Sequence, residues 1–135
     1  MLPRVGAAPM PTSLRVVQVC LLLVAAIAVV GGATQLWLGQ PETTPRLDNV
    51  HRFMAGVYLS TGLIAAYAAL TVRRQGALVL LLALGVLFAG VGRLVSIATV
   101  GVPEPRALWL GYLVPELLLP AVILMAHVAG ARWRG

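Results

Sequence analysis

The stretch ALVLLLALGVLFAGVGRLVSIATV, residues Ala77 to Val100, decides the fold class of this chain. Its only charged side chain is Arg93, and the remaining residues are aliphatic, small or hydroxyl-bearing, with one phenylalanine. A helix of about 20 mainly apolar residues is long enough to cross the ~30 Å hydrocarbon core of a bilayer. The stretch therefore predicts a transmembrane helix, and it raises the question of what compensates a permanent positive charge inside it.

Three further apolar runs of similar length lie on either side of this stretch. Because the segments between the runs are short, helices that are consecutive in sequence must be antiparallel neighbours in space. The predicted fold is an all-α membrane protein, an antiparallel bundle of four transmembrane helices over 16–38, 50–72, 77–100 and 107–129. The predicted division is a flexible cytoplasmic tail (1–15), the transmembrane domain (16–129) and a second cytoplasmic tail (130–135).

The composition supports a membrane protein and excludes several function classes. Of the 135 residues, 60% are hydrophobic and 10% are charged, and the formal net charge is +6. The basic residues lie beside apolar runs and do not alternate with exposed aromatic residues, so we expect membrane lipids as partners and no nucleic acid. The lone Cys20 offers neither a disulfide nor a metal pair. His51 and His127 are expected at opposite membrane faces, where they cannot share a metal or haem, so we expect no cofactor.

The distribution of arginine predicts the orientation. Cytoplasmic segments of membrane proteins carry an excess of basic residues. Only Arg46 and Arg106 are expected in loops on the opposite side. We therefore predict a multi-pass protein of the plasma (inner) membrane with both termini in the cytoplasm. The arginines on the predicted cytoplasmic side are Arg4, Arg15, Arg73, Arg74, Arg132 and Arg134.

A carboxylate in the fourth run is the predicted partner of Arg93. At 1.5 Å per residue, Arg93 lies roughly 10 Å and Glu116 ~14 Å from the outer ends of their helices. An ionised side chain at mid-membrane costs roughly 3 kcal/mol on insertion scales, so two opposite charges at similar depth are expected to pair. Pro115 and Pro120 flank Glu116, and each removes a backbone donor from its helix. We predict an Arg93–Glu116 ion pair inside the bundle.

A second acid–base pair is expected near the outer surface. Asp48 and Arg52 are four residues apart with the acid first, the spacing that brings oppositely charged side chains together on a helix. Asn49 shares their face and is also a candidate N-cap for the second helix.

Helical phase indicates which side chains share a cavity. In the second helix Asp48, Asn49 and Arg52 fall in one stripe with Gly56, Ser60 and Tyr67, which we expect to face inward, whereas Tyr58 lies off this stripe and is expected to face lipid. Tyr112 falls on the face of Glu116. The candidate catalytic residues are Glu116, as acid or base, with Arg93 and Tyr112. The candidate binding residues are Asp48, Asn49, Arg52, Ser96 and Gln35.

The segments LDNVHRF, GRLVS, GVP and PEL resemble a family of small bacterial four-helix membrane proteins that is catalogued as a domain of unknown function. The corresponding motifs are D-N-x-x-R-F, G-R-L-x-S, G-x-P and P-E-L, within Leu47 to Pro120. The resemblance implies the four-helix fold but no activity. A similarity in helix count alone links the chain to DoxX-like proteins, some of which are associated with quinone-linked oxidation, and no residue is carried over from them.

The main hypothesis is an outward-facing polar pocket that binds, or also transforms, a hydrophobic molecule such as a lipid, a quinone or a terpenoid-like compound. The alternatives are a transporter of protons or a small solute, and a non-enzymatic accessory or assembly subunit in which the Arg93–Glu116 pair only fixes helix packing. Enzymatic activity and oligomeric state stay open at this stage.

Overall fold

The structure, a computed structural model, describes residues 9–40 and 42–132. Within these residues the chain forms four long helices, α1 (Thr12–Leu38), α2 (Pro45–Leu70), α3 (Gly76–Val100) and α4 (Arg106–Arg132), with a 3₁₀ turn at Val72–Arg74 between α2 and α3. All four helices are long and apolar enough to cross a membrane. The predicted all-α bundle of four transmembrane helices is confirmed. Residues 1–8 of the predicted tail 1–15, and residues 133–135 of the predicted tail 130–135, lie outside the described residues.

The start of α2 differs from the expectation. The helix begins at Pro45, where the fixed φ of proline suits the first helical turn, and the hydroxyl of Thr44 accepts a hydrogen bond from the backbone N–H of Leu47 at 3.3 Å. The predicted N-cap at Asn49 is therefore wrong, because Thr44 and Pro45 supply the start signal one turn earlier. Asp48 thereby falls in the first turn, where a negative charge suits the helix dipole.

The helices pack unequally. α1 packs along most of α2, α3 packs against α4, and α1 also contacts α4, whereas α2 and α3 barely touch although they are consecutive in sequence. Gly32 and Gly62 allow the close approach of α1 and α2. A Cβ atom at Gly32 would lie 2.8 Å from the carbonyl oxygen of Ala55, and one at Gly62 would lie 2.9 Å from the amide nitrogen of Val29. The side of the bundle between α2 and α3 is left open.

The bundle has a packed half and a hollow half. We call the end where α1 begins, α4 ends and α2 connects to α3 the terminal end, and the end with the other two loops the loop end. The main cluster of buried apolar residues lies in the terminal half, and the cavities lie nearer the loop end, where Ala28 and Ala55 are also buried. The core is formed by Val17, Cys20, Leu21, Val24, Ala25, Ala65, Ala68, Ala69, Val72, Val79, Leu82, Ala83 and Ile123.

Candidate functional site

The ion pair predicted between α3 and α4 is present. Arg93 donates from Nε to Oε2 of Glu116 and from Nη2 to Oε1, both at 2.8 Å. Such a two-point contact is the strongest geometry that an arginine and a carboxylate adopt. Glu116 is 3% exposed and is the only charged residue among the fully buried residues of the described chain. The prediction of a buried Arg93–Glu116 pair is confirmed.

Gly90 brings the two helices close together at this level. A Cβ atom at Gly90 would lie 3.3 Å from both Cβ and the carbonyl oxygen of Glu116, and 2.8 Å from Cδ2 of Leu117. The missing side chain lets the backbones of α3 and α4 approach next to the pair. A glycine one turn before Arg93 therefore helps to seat the carboxylate in the bundle.

Tyr58 corrects an expectation from the sequence. Its hydroxyl donates a hydrogen bond to Oε1 of Glu116 at 3.1 Å, so the side chain crosses from α2 to α4 and the prediction that it faces lipid is wrong. Its ring passes beside α1, where a Cβ atom at Gly31 would be 3.8 Å from Cε1. The carboxylate thus accepts three hydrogen bonds, two from Arg93 and one from Tyr58.

The wrong prediction for Tyr58 arises because the polar residues of α2 were expected to mark its inward face. Ser60 and Tyr67, which the stripe predicts on the inward face, are exposed. The hydroxyl of Ser60 is satisfied within the helix, by the carbonyl oxygen of Val57 at 2.8 Å. Small-residue spacing, rather than polarity, is the signal that places Tyr58 correctly. The face that actually turns inward carries mainly small residues at alternating spacings of three and four: Ala55, Tyr58, Gly62, Ala65 and Ala69.

Two aromatic rings lie next to the guanidinium of Arg93. Its Cζ atom is 5.6 Å from the ring centre of Trp109 and 5.8 Å from that of Tyr112, within range of cation–π attraction. The two rings are tilted by 59° with their centres 6.4 Å apart. The arginine is therefore held by Glu116 along one edge and by aromatic side chains from the same helix, while its side chain stays 24% exposed.

Two cavities meet at this cluster. The loop-end cavity, about 560 Å³, is lined by Arg93 and by several polar side chains, and the deep cavity, about 350 Å³, has a mostly apolar lining. Both volumes lie in or near the range of small-molecule pockets. The residues that line both cavities are Met54, Tyr58, Ala89 and Glu116.

The polar residues of the loop-end cavity include three predicted site residues besides the ion pair. Gln35, Ser96 and Tyr112 line it, and within the described chain their side chains form no hydrogen bond to protein. The structure thus brings them together with Arg93 and Glu116. Their predicted roles in binding or catalysis stay predictions.

Asp48, Asn49 and Arg52 are not among the residues that line either cavity. The expected Asp48–Arg52 pair is present, with Nε of Arg52 2.8 Å from Oδ2 of Asp48. Nη1 of Arg52 donates to the carbonyl oxygen of Leu36 at 2.6 Å, in the last turn of α1. Gly39 follows with φ +63°, and a Cβ atom there would lie 2.6 Å from Nη2 of Arg52. In this position the pair closes the end of α1 against α2.

Fold and site together define a class: a small multi-pass membrane protein with a buried ion pair between two adjacent cavities. The chain belongs to the family described as Domain of unknown function (DUF4345), whose model matches residues 12–127. The predicted membership of a four-helix family of unknown function is thereby confirmed. No curated protein matches the chain. No solved structure matches it either.

Proposed function

We propose that this protein binds a hydrophobic molecule with a polar head group inside the membrane. The head lies in the loop-end cavity against Arg93, and the apolar part extends into the deep cavity. One observation carries the proposal: the guanidinium of Arg93 uses only Nε and one N–H of Nη2 on Glu116, and its remaining N–H groups donate no hydrogen bond within the described chain. A fixed hydrogen-bond donor between a cavity with several polar side chains and a cavity with a mostly apolar lining suits an amphipathic ligand.

Under this proposal Glu116 positions Arg93. Its two oxygens already accept hydrogen bonds from Arg93 and Tyr58, and it is almost fully buried. Fixing an arginine side chain before the ligand arrives lowers the entropy lost on binding. The same contacts leave Glu116 less available as an acid or base, so binding is the function that the geometry supports best.

The open side of the bundle offers a route for such a ligand. Met54 on α2 and Phe88 on α3 both line the loop-end cavity and are exposed, and the two helices barely touch between them. In a membrane this opening faces acyl chains. We propose that the ligand enters sideways from the bilayer between α2 and α3.

A proton or solute transporter is less well supported by the same geometry. Transport needs a polar path across the bundle, and below Glu116 the deep cavity offers only Thr61 as a polar side chain among the described residues. The hydroxyl of Thr61 is bound within its own helix by the carbonyl oxygen of Val57. The packed core fills the terminal half beyond it.

The proposed location is the plasma membrane, with the terminal end in the cytoplasm. In the sequence, six arginines belong to the segments that adjoin the terminal end (Arg4, Arg15, Arg73, Arg74, Arg132 and Arg134), and three to those that adjoin the loop end (Arg46, Arg52 and Arg106). An excess of basic residues next to the helix ends marks the cytoplasmic side. Reporter fusions to the loop between α3 and α4 and to the C-terminus would test it, and an external C-terminus would overturn the assignment.

The binding proposal is tested by the molecules that co-purify with the protein. Native mass spectrometry in mild detergent is expected to show a small apolar ligand on the wild-type chain that is lost from the Arg93→Gln variant. Arg106→Gln is the matched control, because Arg106 also pairs with a glutamate but is exposed and lines neither cavity. Unchanged ligand retention in folded Arg93→Gln and Glu116→Gln variants would overturn the proposal.

The exchange variant Arg93→Glu/Glu116→Arg separates a binding site from a purely structural pair. It restores opposite charges but moves the cation from α3 to α4. If the pair only fixes helix packing, the exchange recovers both folding and ligand content. If Arg93 binds the ligand, the exchange recovers folding and leaves ligand retention low.

A further inference from the structure

The charges around the two cavities cancel. Among the described residues that line them, only Arg93 and Glu116 carry a formal charge, and two hydrogen bonds of 2.8 Å join them. The other polar lining residues are neutral: Gln35, Tyr58, Thr61, Ser96, Trp109 and Tyr112. Whatever enters the site therefore meets a hydrogen-bond donor whose charge is already compensated.

The free donors of Arg93 define the chemistry of the ligand's head group. A guanidinium has five N–H groups, and Glu116 uses two of them. The remaining N–H groups on Nη1 and Nη2 require an acceptor oxygen. The amide of Gln35 and the hydroxyl of Ser96 line the same cavity and add further neutral donors.

Charge balance separates two kinds of acceptor. An anionic head would add a negative charge close to the carboxylate of Glu116, in a site whose described lining offers no second cation. A buried charge without a partner is strongly unfavourable. A carbonyl oxygen accepts the same hydrogen bonds and leaves the site neutral. We infer that the ligand is an uncharged apolar molecule with a carbonyl oxygen, as in a ketone or an ester, and that the free edge of Arg93 selects it against the corresponding anion. This inference rests on the proposed binding function.

A matched set of probes tests the inference on the wild-type chain. 2-Heptadecanone, palmitate and heptadecane have apolar chains of similar length and differ in the head: a neutral carbonyl, an anion and no acceptor. Binding is measured at neutral pH by native mass spectrometry titration in a nonionic detergent. We expect the ketone to bind at least ~10-fold more tightly than palmitate, a difference of about 1.4 kcal/mol, and heptadecane to bind more weakly than the ketone.

The Glu116→Gln variant should reverse this preference. It leaves Arg93 without its counter-charge, so an anion now restores neutrality, and palmitate is expected to bind more tightly than 2-heptadecanone. Palmitate should also raise the melting temperature of this variant more than that of the wild type, because it stabilises an otherwise unpaired cation.

A second measurement keeps the inference testable if Glu116→Gln does not fold. In the wild type, palmitate binding should strengthen as the pH falls and its carboxyl group becomes protonated, while 2-heptadecanone binding should not change over the same range. Palmitate that binds as tightly as the ketone at neutral pH would overturn the inference and leave the binding proposal standing. If none of the three probes binds, the proposed function fails with it.

Discussion

The helices are held together differently in the terminal half and in the loop half of the bundle. In the terminal half small and aliphatic side chains fill the space between the helices, and the cluster includes alanines with no exposed surface, such as Ala65 and Ala69. In the loop half, α2 and α3 stand apart and polar side chains bridge the gap, with Tyr58 as the link from α2 to Glu116. The terminal half is held by close apolar contact throughout, whereas the loop half combines close contact at Gly32 and Gly90 with a few directed hydrogen bonds across its cavities.

The difference shows in which half of the bundle the helices are less closely packed. Van der Waals contact and close backbone approach stabilise helix association in lipid, so a cavity in the loop half forgoes part of that stabilisation. Gly85 and Gly92 of α3 line the cavities, and a Cβ atom at either position would meet no atom of the described chain within 4 Å. These two glycines therefore leave space open beside α3, next to the buried ion pair.

The largest expected loss of stability comes from removing the carboxylate of Glu116, which links α2, α3 and α4 in the loop half. Glu116→Ala leaves the guanidinium of Arg93 partly buried without its partner, and breaking a buried pair in this way costs about 3–5 kcal/mol. It also removes the acceptor for the hydroxyl of Tyr58. The free energy of unfolding, measured by reversible denaturation in detergent, should fall by that amount.

The double variant Arg93→Gln/Glu116→Gln is the control for this loss. It removes both charges, so no unpaired ion remains, and the two amides are long enough to hydrogen-bond each other. We expect it to recover most of the stability lost in Glu116→Ala. A double variant as unstable as the single one would show that the charges themselves are not what the pair contributes.

A pair of glycines tests the packed side against the open side. Gly62→Ala places a methyl group 2.8 Å from Cγ2 and 2.9 Å from the amide nitrogen of Val29, so α1 and α2 must separate, at a cost of about 1–3 kcal/mol. Gly85→Ala meets no described atom within 4 Å and should be neutral or slightly stabilising, because alanine favours helix. Melting temperatures of the two variants give the comparison. Equal effects would mean that the gap between α2 and α3 is closed in the protein.

Most of the fold follows from the sequence. The run that contains Arg93 and the three similar runs predict four spanning helices because a bilayer fixes the length and apolar character that a helix needs. The Arg93–Glu116 contact is also predictable, since two opposite charges at matching depth have no better partner. Both predictions rest on the bilayer as the solvent, because every residue in it is subject to the same cost of exposing polar or charged groups to lipid.

Helix rotation and relative packing are harder to predict. The positions of the polar residues predict the wrong inward face for α2. The hydroxyl of Ser60 hydrogen-bonds to a carbonyl oxygen of its own helix, so the side chain can face outward. The inward face is decided by which residues let α1 approach closely, at Gly62 and its neighbours. The gap between α2 and α3 depends on the balance of all helix contacts, and no short sequence pattern encodes it.

Tyr58→Phe removes the hydrogen bond that links α2 to the ion pair. The ring is kept, so the expected loss is that of a single hydrogen bond to a charged acceptor, about 1.5 kcal/mol in the free energy of unfolding. Tyr67→Phe on the same helix is the matched control, because Tyr67 is 56% exposed and should lose little stability. Equal losses in both variants would contradict the assigned role of Tyr58.

The smallest effect is expected at the end of α1, where the second ion pair lies. Arg52→Gln removes the donor to the carbonyl oxygen of Leu36 and the partner of Asp48, but the arginine side chain is 45% exposed. Exposed pairs of this kind contribute below about 1 kcal/mol, so global stability should barely change. The local effect should be larger, with faster amide hydrogen exchange at Gly39 than in the wild type or in Arg46→Gln. If exchange there is unchanged, the contact with Leu36 does not close the end of α1, and the Asp48–Arg52 pair needs another explanation.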